Sequence, residues 1–148
     1  MPTFTGPIVA DGSLVNILVG VSEARRQTLR SVGLPVPAPS PVRVLLDTGS
    51  IITVAEAHAI VPLGVTRYDQ RPFFNSSVGL TPIVRDVFNL SITLLDDRGV
   101  LLYYWPSVDV IPGVFPPTDQ VQGIIGRDLL DDCVFIYDGK RRSFTLDI

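Results

Sequence analysis

Val42-Arg43-Val44-Leu45-Leu46-Asp47-Thr48-Gly49-Ser50 is a β-branched and leucine-rich run that ends in an acid. The apolar part reads as a buried strand. A carboxylate at the end of such a strand is costly unless hydrogen-bond donors hold it. The next three residues can supply them, because Gly49 lets backbone N–H groups approach closely and the Thr48 and Ser50 hydroxyls are short, stiff partners.

A second stretch belongs with the first. Gly123-Ile124-Ile125-Gly126-Arg127-Asp128-Leu129-Leu130 places two glycines around an isoleucine pair, which suits a strand passing close to other backbone, and then starts a short helix on an acid. Taken in order, the hydrophobic strand ending in Asp-Thr-Gly-Ser and the later Gly-Ile-Ile-Gly-Arg-Asp-Leu-Leu resemble the catalytic loop and the closing segment of retropepsin-like aspartic proteases. The resemblance runs from about Val42 to the C-terminus. It implies an all-β fold, a closed or folded-over sheet with two or three short helices. It is to the single-domain, homodimeric branch of the family, for which a bacterial source is expected.

Length selects that branch. Pepsin-like enzymes carry two Asp-Thr-Gly loops in a chain more than twice as long, whereas these 148 residues contain the motif once. The chemistry needs two carboxylates about 3 Å apart sharing one proton. The resemblance therefore implies a homodimer with Asp47 and its symmetry mate on the two-fold axis. It also implies aspartic endopeptidase activity on a peptide or protein substrate, with no metal or cofactor. Thr48, Gly49 and Ser50 support the loop: Thr48 turns towards the partner's loop, Gly49 offers backbone to the carboxylate, and Ser50 hydrogen-bonds its outer oxygen. Gly126, Arg127 and Asp128 are structural. The family's arginine at the place of Arg127 is buried and tied to an acid just after the catalytic triplet, but Ile51-Ile52 stand there in this chain.

Composition narrows the alternatives. Apolar residues make up 46% of the chain and charged residues 18%, with a mean hydropathy of +0.36. That excess is consistent with an apolar surface covered by a partner. Pro or charge interrupts every apolar run before the roughly 18 residues of a membrane helix. A net charge of −3 with scattered basic residues argues against a nucleic-acid partner. The absence of a leader-like start leads us to expect a cytoplasmic protein without membrane attachment. Cys133 and His58 are single residues of their kinds, so they make neither an intrachain disulfide nor a Cys/His zinc set. Cys133 reads as a small apolar residue near the core and His58 as a surface or packing residue.

The remaining elements follow from turn chemistry. Ile8 to Ala10 and Leu14 to Val19 around Asp11-Gly12 form a predicted hairpin, as do Val134 to Tyr137 and Ser143 to Ile148 around Asp138-Gly139. Residues 22–41 read as a surface insertion in the single domain 1–148: a short capped helix followed by an alternating-proline connector, either a linker or a substrate-facing or regulatory arm. Thr53 to Ile60 reads as a helix, with Thr53 and Glu56 at capping-box spacing. Residues 67–80 are either an ordinary loop or, in the retropepsin order, the mobile flap over the substrate. Phe73 and Phe74 then form its shoulder and Asn75, Ser76, Ser77, Val78 and Gly79 its tip. Ile51, Ile52, Phe73, Phe74 and Val78 together suggest an apolar cleft rim. Val87 to Leu95 and Val100 to Trp105 read as strands joined by Asp96-Asp97-Arg98-Gly99. The four prolines at 106, 112, 116 and 117 point to loop over 106–120, with one short strand at Val108 to Ile111.

Two other readings of function stay open on sequence alone. One is a catalytically silent retropepsin-like dimer that binds or assembles proteins. The other is an unrelated small β-barrel binding module with a chance turn at Asp47.

Overall fold

The computed structural model describes residues 2–75, 79–117 and 120–148. Among the described residues, ten strands, three short α-helices and one 3-10 turn (Val61–Leu63) follow one another. Strands β1 (Thr3–Val9) and β2 (Gly12–Val21) form the expected hairpin, with Val9 paired to Gly12 across a tight turn. Gly12 holds a φ of +114°, a conformation that L side chains rarely adopt. Helix α1 (Glu23–Ser31) is capped by Ser22, whose Oγ accepts from the Arg25 N–H. It is anchored by the buried Leu29 and by the Tyr104 hydroxyl, which donates to Glu23. The proline-rich connector then leads into β3 (Ser40–Leu46), which ends one residue before Asp47.

Beyond the loop, β4 (Thr53–Glu56) and α2 (Ala57–Ile60) occupy the stretch expected to be one helix. That expectation is corrected. Val54 and Ala55 pair with two neighbouring strands, so ladder hydrogen bonds replace helical ones, and no side chain caps α2. Strands β5 (Asp69–Asn75) and β6 (Gly79–Leu95) form an antiparallel hairpin in which Asn75 faces Gly79. The expected flap tip at Ser76, Ser77 and Val78 lies outside the described residues.

A second correction concerns the prolines. Strand β7 (Leu101–Gly113) is continuous through Pro106 and Pro112. Leu90 pairs with Val108 and Ile92 with Trp105, so Pro106 and Ser107 stand opposite the single residue Ser91. A bulge of this kind removes the ladder bond that a proline cannot make. Strands β8 (Gly123–Ile125), β9 (Val134–Asp138) and β10 (Ser143–Asp147) complete the sheet, with α3 (Arg127–Leu130) between β8 and β9.

The sheet order is β5-β6-β7-β4-β8-β3-β2-β1-β10-β9, and an additional pairing of β6 with β2 closes six of these strands into a ring. The expected closed sheet is therefore present. Val19, Val44, Leu90, Ile92, Leu94 and Val110 fill it and expose no surface. Strand β6 serves two structures: Leu90 to Leu95 pair with β2 inside the ring, while Gly79 to Val87 pair with β5 in the projecting hairpin. The hairpin is thus an extension of a core strand, anchored at its base.

Candidate active site

The loop after β3 is held at both ends by β8. Strand β8 runs parallel to β3, with Leu46 opposite Ile125, and antiparallel to β4, with Val54 opposite Ile124. It threads between the strand that enters the loop and the strand that leaves it. Such a passage leaves no room beside the backbone. A Cβ on Gly123 would lie 2.6 Å from the Val54 carbonyl oxygen, and one on Gly126 would lie 2.7 to 2.9 Å from three backbone atoms of Ile52. The two glycines are required by close approach.

The loop itself is tied by backbone. The Asp47 N–H donates to the Ile125 carbonyl at 2.9 Å and the Arg127 N–H to the Ser50 carbonyl at 2.8 Å. The Ser50 N–H closes the turn on the Asp47 carbonyl at 3.2 Å. Asp47 is half-buried, and its Oδ1 accepts the Gly49 N–H at 2.8 Å. A Cβ on Gly49 would stand 3.1 Å from that same oxygen, so a side chain there would crowd the carboxylate. Thr48 is exposed at the head of the loop.

Two expected roles are corrected. Ser50 does not bond the outer oxygen of Asp47; its hydroxyl donates to the Ile52 carbonyl at 2.7 Å and stiffens the loop instead. Arg127 is exposed, and among the described residues it makes no ion pair. The acid beside it takes the structural part. Asp128 accepts the Thr53 N–H at 2.9 Å and the Thr53 hydroxyl at 2.8 Å. Thr53 Oγ1 in turn accepts the Gly126 N–H at 3.3 Å. Although Asp128 as a residue is exposed, partial desolvation of its carboxyl beside Thr53 pushes it above its ordinary value, and the Thr53 and Leu129 donors oppose the shift. The fully buried Thr53 thereby locks the exit of the Asp47 loop to the start of α3.

Between this loop and the β5–β6 hairpin lies a cleft of about 650 Å³. Asp47, Gly49 and Ser50 line one side, together with Ile51 and Ile52; Phe73 and Phe74 of the hairpin line another. Ile111 and Pro112 at the end of β7, the hairpin's Ile83 and Arg85, and Val114 and Phe115 beyond β7 also line it. The sequence reading places none of the last four at the cleft. Pairing of the hairpin puts Ile83 beside Phe73, and only the passage of β7 through Pro112 carries Val114 and Phe115 to the cleft. The prolines of this segment carry no information on which surface the chain meets.

The single cysteine and histidine stand apart from the cleft. Cys133 packs against the core, and burial raises its thiol pKa to about 11, which keeps it a poor nucleophile. His58 is exposed, 3.8 Å from Glu56. Among the described residues no three His, Cys, Asp or Glu side chains converge as a metal site, and no helix is long and apolar enough to cross a membrane.

No family model matches the chain, and no curated protein matches it. Among solved structures it is similar to the crystal structure of a retropepsin-like aspartic protease from Rickettsia conorii. The TM-score is 0.54 at 16% identity, over 98% of this chain and 92% of that one. At this identity the likeness is one of fold: the chain has the retropepsin-like all-β fold.

Proposed function

We propose that the protein is an aspartic endopeptidase that acts as a homodimer, with one Asp47 from each chain. The observation that carries the reading is a half-buried carboxylate, oriented by the Gly49 N–H, at the edge of a cleft large enough for peptide side chains, within this fold. One ionised Asp47 takes a proton from a water molecule, whose oxygen attacks the scissile carbonyl carbon. The protonated Asp47 of the second chain gives its proton to the carbonyl oxygen, forming a neutral diol. Collapse of the diol breaks the C–N bond as a proton passes to the leaving nitrogen. No covalent intermediate is needed. The β5–β6 hairpin acts as the flap that admits the peptide and then excludes water.

Exposed apolar side chains beside the cleft support a covered surface: Ile51 is 62% and Phe74 69% exposed in the single chain. The test is cleavage of a mixed peptide library between pH 4 and pH 6 by the native chain and by Asp47→Ala. Cleavage by the native chain alone is expected. Cleavage by neither favours a silent binding dimer of the same fold, and equal cleavage by both removes Asp47 from the mechanism.

A further inference from the structure

The β5–β6 hairpin carries two arginines directly opposite each other, and they are treated differently. Arg71 pairs with Arg85 across the strands, which puts both side chains on one face of the ribbon. Two like charges so placed repel unless acids neutralise them. Arg71 takes the acids: its Nε donates to Asp69 at 2.7 Å, its NH1 lies 3.0 Å from Asp109 on β7, and its NH2 donates to the Tyr68 hydroxyl at 3.1 Å. Arg85 has none. Among the described residues no acid lies within 4.0 Å of it, Asp47 included.

The register then decides where Arg85 sits. Phe73 and Ile83 form the neighbouring pair on the same face, and both line the cleft, as Arg85 does. Apart from the Asp47 carboxylate, Arg85 is the only charged side chain among the described residues that line it. Much of the wall around it is apolar, from Phe73 and Ile83 on the hairpin to Ile51 and Phe115. A guanidinium stays charged at any working pH and offers a planar fork of donors that matches a carboxylate. When a peptide fills the cleft, water leaves and that pairing strengthens.

We propose that Arg85 is a specificity-determining residue that selects an acidic side chain in the substrate, close to apolar residues that occupy the rest of the cleft. The inference rests on the peptidase reading for its substrate, but its geometry is independent of catalysis. The occupant is an Asp or Glu of a peptide, held by two parallel N–H···O bonds, with aromatic or aliphatic neighbours against Phe73 and Ile83.

The experiment compares peptides that share an apolar core and carry Glu or its isostere Gln at one position in turn. Each is tested with the full native chain, Arg85→Gln and Arg85→Glu. The native chain is expected to cleave peptides with Glu at one particular position roughly tenfold faster in kcat/KM than their Gln counterparts. Arg85→Gln brings that ratio to about one, and Arg85→Glu reverses it in favour of the Gln peptide. A native chain indifferent to Glu at every position, or a preference that survives Arg85→Gln, overturns the proposal. If no peptide is cleaved, the peptidase reading fails separately, and the same labelled peptides are titrated by fluorescence anisotropy into Asp47→Asn with Arg85 intact or changed to Gln. Tighter binding of Glu peptides that depends on Arg85 then upholds the specificity role; equal binding, or none, overturns it.

Discussion

At the scale of single residues the site depends on donors placed around carboxylates. Asp47 has one such donor in the described chain, the Gly49 N–H, whereas Asp128 has three, two from Thr53 and one from Leu129. Thr53→Val keeps the volume but deprives Asp128 of the hydroxyl donor and the Gly126 N–H of its acceptor. A loss of about 1–3 kcal/mol is expected, read as a lower urea midpoint. Asp128 also sets a pH dependence. Its folded pKa lies above the ordinary 3.8 because of partial desolvation, so the folded state binds this proton more tightly than the unfolded state does. The contribution of the group therefore favours the fold below 3.8 and is lost as pH rises through the raised folded value. In urea titrations from pH 3 to pH 7, the stability of Asp128→Asn relative to native should rise across that window and stay flat beyond it.

At the scale of elements, close passage and tethering decide what can change. The strand-and-glycine segment from Gly123 to Gly126 threads the Asp47 loop, and a methyl at Gly126 meets backbone of Ile52 that has nowhere to go. Gly126→Ala should cost about 1–3 kcal/mol, seen as a lower thermal midpoint, and should reduce any cleavage because the loop that aims Asp47 moves with Ile52. The close approach was legible from two glycines around an isoleucine pair, although its partner was not. The hairpin behaves differently. It is tethered to β7 by the pairing of Arg71 with Asp109, a partly exposed ion pair worth about 1 kcal/mol or less. Arg71→Ala is expected to leave global stability nearly unchanged while amide exchange over residues 69–75 quickens. Unchanged exchange there would show that ladder bonds alone hold the hairpin down.

At the scale of the whole molecule, one chain carries one Asp47, so the proposed chemistry requires association. Sedimentation at micromolar concentration should give about twice the 16.1 kDa of the chain. On dilution through the dissociation constant, specific activity should fall in proportion to the dimer fraction. A monomer that retains full activity would require a second carboxylate from the same chain. Val134 and Ile136 on the edge strand β9 and Phe74 at the cleft expose apolar surface that association would cover.

By itself the sequence determined the features that rest on short-range physics. The strand ending at Asp47, the Asp-Gly hairpins, the capped helix after Ser22 and the glycines at 123 and 126 all follow from local sterics and hydrogen bonding, which a neighbouring residue or two can specify. The tertiary structure decided whatever depends on a distant partner. Thr53 to Glu56 has the spacing of a helix cap, yet β7 and β8 offer it ladders on both sides and Asp128 takes its hydroxyl. Pro106 stays inside a strand because a bulge opposite Ser91 absorbs its missing donor. Arg71 and Arg85 are alike in sequence, and only the register of β5 on β6 and the position of Asp109 leave one neutralised and the other facing the cleft. Local preferences amount to a few tenths of a kcal/mol up to about one. Where a ladder of long-range bonds and the burial behind it exceeds that, the distant partner decides.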